Sequence, residues 1–211
     1  MSIDRMGTPT TPRTRRRRRS PQAAIAEILA AAEQLLGERP FRELGVDEVM
    51  SRTTLSRSSF YVYFRDRYDL LLRLVGEIEG ELQLMNEQWI TSSLGGDPRE
   101  SLGVALAGVV DAYEAHGRVM RAIADAAAAD PQVERLYDAM LARFVEVNAL
   151  HIVEQQAAGL VPAQLDASET ARALVWMTER FLVRSGASQG EQRLRVVATL
   201  ASVWTRTLYG R

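Results

Sequence analysis

Apolar residues recur every three or four positions along most of this chain, and this spacing constrains the fold more than any other feature. The stripe between Ser20 and Gly37 shows the pattern, since its apolar residues fall on one face of a helix. Its members are Ile25, Ile28, Leu29, Ala32, Leu35 and Leu36. The pattern resumes after each break, and no segment alternates as a strand would. The sequence therefore predicts an all-α protein of about nine helices.

Short polar, glycine and proline signals mark where these helices begin and end. Ser20-Pro21 and Asp130-Pro131 each combine an N-cap residue with a proline at the first helical position. The segment 95–98, Gly-Gly-Asp-Pro, interrupts the pattern in the middle of the chain, and Gly117 predicts a further break. Each of these signals separates two predicted helices.

Charge is distributed unevenly between the N-terminus and the rest of the chain. Residues 1–19 hold seven arginines and one aspartate, a net charge of +6, so the remaining residues carry −7 within an overall charge of −1. The segment has almost no apolar content, which predicts a disordered basic arm. A basic arm on an acidic body is typical of proteins that contact nucleic acid, and a solubilising tail is the alternative.

Several function classes lack the residues they need. The chain has no cysteine, which excludes disulfides, thiolate zinc sites and cysteine nucleophiles. The two histidines, His116 and His151, accompany no convincing nucleophile or ligand set. No apolar run approaches the roughly 18–20 residues that span a bilayer. We therefore expect no catalytic residue, metal site or cofactor and no membrane partner. An all-α enzyme is the alternative, and a cofactor found in the purified protein would favour it.

The most informative segment is 46–64, which predicts two short helices joined by a tight turn. The helices are expected at about 47–53 and 57–64, with Ser56 as the cap of the second. Val49, Leu55, Phe60 and Phe64 would pack beneath this second helix. Such a helix-turn-helix can hold its second helix in the major groove of double-stranded DNA. An ordinary helical hairpin with a solvated arginine face is the alternative.

The outward residues of this segment suit contacts with DNA. Arginine reads guanine in two hydrogen bonds, and the hydroxyl groups of serine and tyrosine suit bases or phosphates. The start of the next helix adds backbone N–H groups that favour a phosphate. The predicted DNA-binding residues are Arg57, Ser58, Ser59, Tyr61, Tyr63, Arg65 and Arg67.

This segment resembles the recognition helix of the TetR family of repressors. The resemblance rests on Ser56-Arg57-x-x-Phe60-Tyr61-x-Tyr63-Phe64, on the basic Arg67 and on the leucines at 70–72. The turn carries Thr53-Thr54 where that family usually has Ala-Gly. Because a β-branched residue disfavours a positive φ, we expect a slightly recast turn.

The rest of the chain is similar to the EthR-like branch of that family. The similarity covers most of residues 22–210 and is carried by the segments 113–116, 177–180 and 203–210. It implies a cytoplasmic homodimeric repressor that binds a palindromic operator.

Aromatic and methionine side chains recur in the middle helices and predict either a filled core or a ligand cavity. A cavity needs mostly apolar walls and a few polar anchors. The predicted ligand-binding residues are Met85, Trp89, Tyr113, Tyr137, Phe144, Asn148, Trp176 and Glu179. The resemblance implies a cavity with aromatic walls that include Trp204, and it departs at Leu102, Val175 and Thr178, where the relatives carry Trp, Asn and Asn. A small apolar effector is therefore expected, although its identity need not match.

The last two predicted helices offer more apolar surface than one small body needs, which predicts that they form a four-helix bundle in a dimer. The candidate residues are Leu174, Met177, Phe181, Leu194, Val197, Leu200, Ala201 and Trp204.

The predicted organisation is a basic arm at 1–19, a three-helix DNA-binding domain at 20–65, and an effector-binding and dimerisation domain at 66–211. The predicted function is a ligand-responsive repressor. A DNA-binding regulator controlled by a protein partner is the alternative.

Overall fold

A computed structural model describes residues 20–92, 96–185 and 190–210 of the chain. The predicted basic arm at 1–19 lies outside the described residues. The described part contains eight α-helices, one short 3-10 helix and no strand, so the predicted all-α class is confirmed. The helices are α1 (Pro21–Leu36), the 3-10 helix (Phe41–Glu43), α2 (Val46–Ser51), α3 (Arg57–Tyr63), α4 (Arg67–Ser92), α5 (Pro98–Ala127), α6 (Pro131–Ala157), α7 (Ala167–Ser185) and α8 (Glu191–Tyr209).

Three of the helices begin at the polar-plus-proline signals in the sequence. Ser20, Asp97 and Asp130 each accept a backbone N–H through the side chain, and a proline follows each of them. The cap satisfies one of the free N–H groups of the first turn, and the proline supplies a backbone angle that suits a helix. These residues therefore fix where α1, α5 and α6 start.

The predicted break at Gly117 is wrong, because α5 continues through it to Ala127. A glycine within a helix costs only about 1 kcal/mol relative to alanine. Tyr113 lies buried before it, and Val119 and Met120 lie buried after it. The packing of these residues before and after Gly117 outweighs the cost of the glycine. The two helices predicted on either side of Gly117 are therefore one helix, α5.

The helices share one continuous hydrophobic core. Helices α1, α2 and α3 pack together at the N-terminus, and α1 also contacts α4 and α5. Helix α5 lies at the centre of the remaining helices and packs against α4, α6, α7 and α8. Helix α4 therefore leaves the N-terminal group beside α3 and runs into the wall of the C-terminal group.

Candidate functional sites

Helices α2 and α3 form a helix-turn-helix supported by buried aromatic residues. Phe60 is fully buried, and Val49 and Phe64 are almost fully buried, as their spacing predicts. Leu55 is half-buried and packs against the same core. These contacts hold α3 against the N-terminal group and leave its other side exposed.

The turn between α2 and α3 is fixed by threonine side chains. The Thr53 hydroxyl donates to the Met50 carbonyl (2.9 Å) and accepts the Leu55 N–H (3.2 Å). The Thr54 hydroxyl and N–H both donate to Oε1 of Glu27 on α1 (2.7 and 2.5 Å). No described residue other than glycine has a positive φ. The turn is therefore held by side-chain hydrogen bonds and does not need a left-handed residue.

The outward side of α3 carries the predicted polar and aromatic residues. Arg57, Ser58 and Tyr61 are exposed, and Ser59 and Tyr63 are half-buried. Hydroxyl groups at the start of the helix bond to one another, with Ser56 Oγ 2.9 Å from the oxygens of both Ser58 and Ser59. These groups lie together on one accessible surface.

Two outward arginines already have acidic partners. Arg57 forms an ion pair with Asp47 on α2, and its guanidinium lies 5.8 Å from the centre of the Tyr61 ring. Arg65 donates to Asp69 through its guanidinium (3.1 Å) and through its backbone N–H (3.0 Å), and these bonds lower the pKa of the Asp69 carboxyl group. A DNA contact by either arginine therefore competes with an internal ion pair.

Arg67 lies apart from the outward side of α3. Its guanidinium stands 5.0 Å from the centre of the Phe41 ring and 5.1 Å from that of Tyr68, and it donates to the Arg42 carbonyl (3.2 Å). The residue is half-buried. The structure thus places Arg67 in the packing between α4 and the 3-10 helix, whereas the sequence grouped it with the DNA-facing arginines.

A mainly apolar cavity of about 80 Å³ lies among helices α4 to α8. Of the predicted ligand-binding residues, Trp89, Tyr113, Phe144, Asn148 and Glu179 line it. The wall also contains Trp204, which the resemblance implies, and the positions at which the resemblance departs, Leu102, Val175 and Thr178. The remaining wall residues were not predicted. They are Leu82, Asn86, Ala105, Leu106, Val109, Met140 and Leu141. The volume is well below the roughly 300–1,000 Å³ of typical ligand pockets, so a larger molecule must widen it.

The structure does not bring the other three predicted residues into this wall. Met85 is half-buried against Gly108, where an added Cβ would overlap the Met85 sulfur. Tyr137 is buried and donates its hydroxyl to Glu179 Oε1 (2.5 Å), so it supports a wall residue. Trp176 is 54% exposed and lies outside the cavity. Helix α7 buries positions 174, 175, 178 and 179, and position 176 falls on the opposite side.

Acidic and phenolic groups meet at one side of the cavity. Burial, together with the nearby Glu179 carboxylate, raises the pKa of Tyr113 far above its usual value. Burial, Tyr113 and Glu179 do the same to the pKa of Tyr137. Both phenols therefore remain neutral at physiological pH and can donate hydrogen bonds.

Three polar side chains of the wall differ in how far their hydrogen bonds are satisfied. Thr178 Oγ1 accepts the indole N–H of Trp204 (2.9 Å), and Glu179 accepts from Tyr137. Asn148 Nδ2 donates to the Phe144 carbonyl (2.8 Å). Asn148 Oδ1 is buried and has no hydrogen-bond partner.

The cavity and the helix-turn-helix are connected through α4 and α6. Helix α4 supplies wall residues near its C-terminal end, and only three residues separate its start from the end of α3. Tyr68, in its first turn, donates to Oδ2 of Asp130 (2.7 Å), which caps α6, and this bond lowers the pKa of the Asp130 carboxyl group. Because α6 carries the wall residues Phe144 and Asn148, this bond joins two of the helices that line the cavity at a point close to the end of α3.

Within the described ranges, no group of three or more His, Asp or Glu side chains has an arrangement that could hold a metal ion. None of the described helices is long and apolar enough to cross a membrane.

Two family models match this chain. Residues 28–74 match the model of bacterial regulatory proteins of the tetR family, and residues 102–210 match the C-terminal domain of the transcriptional regulator EthR. The chain is 26% identical over 211 residues to the HTH-type transcriptional regulator EthR of Mycolicibacterium smegmatis, covering 97% of each chain. It is 29% identical over 187 residues to EthR of Mycobacterium tuberculosis, covering 87% of this chain and 86% of the relative.

Solved structures share the fold. Salmonella enterica GusR superposes with a TM-score of 0.74 at 20% identity, covering 90% of this chain and 98% of GusR. FadR from Bacillus subtilis, solved in complex with stearoyl-CoA, gives a TM-score of 0.69 at 16% identity, covering 88% of this chain and 98% of FadR. The two family models and the EthR relatives, together with the buried helix-turn-helix anchors, identify the chain as a DNA-binding transcriptional regulator and not an enzyme, a member of the TetR family with a C-terminal domain of the EthR type.

Proposed function

We propose that the protein is a repressor that binds a palindromic operator as a homodimer and is released when a small apolar effector enters the cavity. The observation that carries the proposal is that α4 both lines the cavity and leads directly from α3. Residues 20–65 would form the DNA-binding domain and residues 66–211 the effector-binding and dimerisation domain. Such a regulator would act in the cytoplasm, where the chromosome lies.

The recognition surface would consist of the outward side of α3 and the start of α4. Arg57, early in α3, is positioned to read a base edge, and the hydroxyl groups of Ser58, Ser59, Tyr61 and Tyr63 suit bases or phosphates. Arg65 would contact a phosphate. Arg67 would act indirectly, because its guanidinium supports the packing at the start of α4.

The proposed dimer interface uses the outward residues of α7 and α8. Phe181 and Leu194 are exposed, and Met177, Val197 and Ala201 are half-buried. The other three predicted interface residues, Leu174, Leu200 and Trp204, are buried in the protomer's own core. A two-fold axis through this face would present two copies of α3 to half-sites about 34 Å apart.

Release would follow from the small size of the cavity. The space of about 80 Å³ is too small for an elongated effector, which can enter only if helices or side chains move. Because the wall includes α4, widening the cavity changes the position of α3. A ligand shifts the equilibrium only if it binds the widened state better than the closed one.

Substitution of Arg57 tests the recognition surface. Arg57→Ala should cost about 1–3 kcal/mol of binding to the operator and little of binding to random DNA. Arg172→Ala, which removes an exposed arginine of α7, is the matched control and should leave both affinities unchanged. Equal losses on operator and random DNA, measured by fluorescence anisotropy, would show that Arg57 does not read a base.

Ligand screening tests the effector. Elongated apolar compounds should raise the melting temperature and weaken operator binding together, with a coupling of about 1–3 kcal/mol. Phe144→Ala should abolish both responses and retain operator affinity. If no apolar compound produces either response, the alternative of a controlling protein partner replaces this proposal.

A further inference from the structure

The cavity wall contains hydrogen-bond donors and acceptors. The Tyr113 hydroxyl and the Trp89 indole N–H are donors, and the Asn86 amide can do both.

Asn148, Thr178 and Glu179 contribute acceptor oxygens to the lining residues. Thr178 and Glu179 each accept a bond from a protein donor, Trp204 and Tyr137 respectively. Asn148 Oδ1 is the one acceptor among the three that lacks a partner.

The orientation of the Asn148 amide follows from its neighbour. The nitrogen lies 2.8 Å from the Phe144 carbonyl oxygen, which can only accept a hydrogen bond. Exchanging the amide oxygen and nitrogen would place two acceptors against each other. The oxygen is therefore the group that remains without a partner, and the side chain is only 4% exposed.

An acceptor buried without a partner costs about 1–3 kcal/mol, and a ligand that supplies a donor recovers this cost. A ligand whose polar group only accepts, such as an ester or a tertiary amide, would leave Asn148 Oδ1 without a partner. A fatty carboxylate would in addition lie near the buried Glu179 carboxylate, whose charge the exposed Arg180, 3.8 Å away, offsets only in part. Like charges in a dry site repel each other.

We propose that the effector is an elongated apolar molecule with an N–H or O–H donor, an uncharged primary or secondary amide or an alcohol, which donates to Asn148 Oδ1. This inference rests on the proposed function, because it names the ligand class of the same cavity. The donor replaces the missing partner of a buried acceptor, and the apolar body occupies the surrounding aliphatic and aromatic wall. Selectivity for a donor then follows from one side chain.

The test uses probes that share one chain and differ in the polar group: decanamide, N,N-dimethyldecanamide, methyl decanoate and decanoic acid. Binding to the full-length protein is measured by titration calorimetry. Decanamide should bind at least about tenfold more tightly than the three others, a factor that corresponds to about 1.4 kcal/mol. In Asn148→Leu the decanamide affinity should fall to that of the ester, while the ester affinity stays within about twofold.

Met140→Leu is the matched control, since Met140 lines the cavity on the same helix and offers no comparable hydrogen-bond group. It should change the affinities for all four probes alike and preserve their ratio.

Equal affinity of the wild type for decanamide and methyl decanoate would overturn the inference, while the proposal of an apolar effector would still hold. Discrimination that persists in Asn148→Leu would overturn the role of Asn148. Failure of every probe, including decanamide, would overturn both this inference and the proposed effector. The wild-type comparison stands on its own if Asn148→Leu does not fold.

Discussion

Filling the cavity tests whether its closed form is the form that binds DNA. Ala105 on α5 is buried and lines the cavity, so Ala105→Leu places three more carbon atoms in that space. Cavities destabilise proteins by about 24 cal/mol per Å³, which for this volume of about 80 Å³ sets an upper limit near 2 kcal/mol. A leucine that fills most of the space should therefore stabilise the protein by about 1–2 kcal/mol and raise its melting temperature by about 2–8 °C.

The same substitution should separate DNA binding from the effector response. Operator affinity should stay within about twofold, and the effector concentration needed for release should rise by about tenfold or more, because the ligand must displace the new side chain. Thermal unfolding at a fixed protomer concentration and operator titrations with and without effector measure both quantities. Ala139→Leu changes an exposed alanine of α6 and is the control. A less stable Ala105→Leu protein with an unchanged effector response would refute the reasoning.

Two further substitutions test the packing around the cavity and the contact between α5 and the N-terminal helices. Thr178→Val removes the acceptor of the buried Trp204 indole N–H and should cost about 1–3 kcal/mol in urea unfolding; equal stability would mean that this N–H finds another partner. Although burial lowers the pKa of His116, its hydrogen bonds to Glu33 and Glu81 (2.7 and 3.1 Å) and their charges outweigh this effect, so the net pKa is raised above 6.5. The stabilisation from His116 is then complete below about pH 6.5 and is lost as the pH rises through the pKa of His116 in the folded protein. The difference in unfolding free energy between the wild type and His116→Gln should therefore shrink over that pH range. A difference that does not change with pH would contradict the raised pKa of His116.

The helix-turn-helix could be predicted closely because its sequence signals are local. Val49, Phe60 and Phe64 are spaced so that they must share a face, and a short helix with this face buried exposes the rest. The position of Arg67 could not be predicted in this way. Its contact with Phe41 depends on where the 3-10 helix packs, and nothing in the spacing of 57–67 fixes that position.

The cavity could be predicted only in part, because the helical period does not identify which face of a buried helix meets the cavity. On α6, Phe144 and Asn148 share the predicted face and both line the wall, whereas Tyr137 supports it from behind. On α7 the tryptophan at 176 was predicted to bind the ligand, yet the buried stripe passes through Thr178 and Glu179. The arrangement of neighbouring helices, and not residue type, decided this case.

Helix α6 is joined to α4 in a way that bears on how the two sites communicate. Arg143 of α6 forms an ion pair with the buried Glu79 of α4, with Nη2 2.5 Å from Oε2, and Tyr68 of α4 donates to the Asp130 cap of α6. The two helices are thus tied at the cap of α6 and again near the middle of α4. In the proposed mechanism, a ligand that widens the cavity moves α4 and α6 together relative to α5.

The two contacts between α4 and α6 determine how effector binding and operator binding should affect each other in solution. If α4 and α6 move as a unit, the closed cavity and the DNA-binding position of α3 belong to one state, and the widened cavity belongs to the other. The effector then weakens operator binding by the ratio of its affinities for the two states, about 5–150-fold for a coupling of about 1–3 kcal/mol. Because coupling between two binding equilibria is reciprocal, operator DNA must weaken effector binding by the same factor. An effector affinity measured on the free dimer therefore overstates the affinity of the operator-bound form by this ratio.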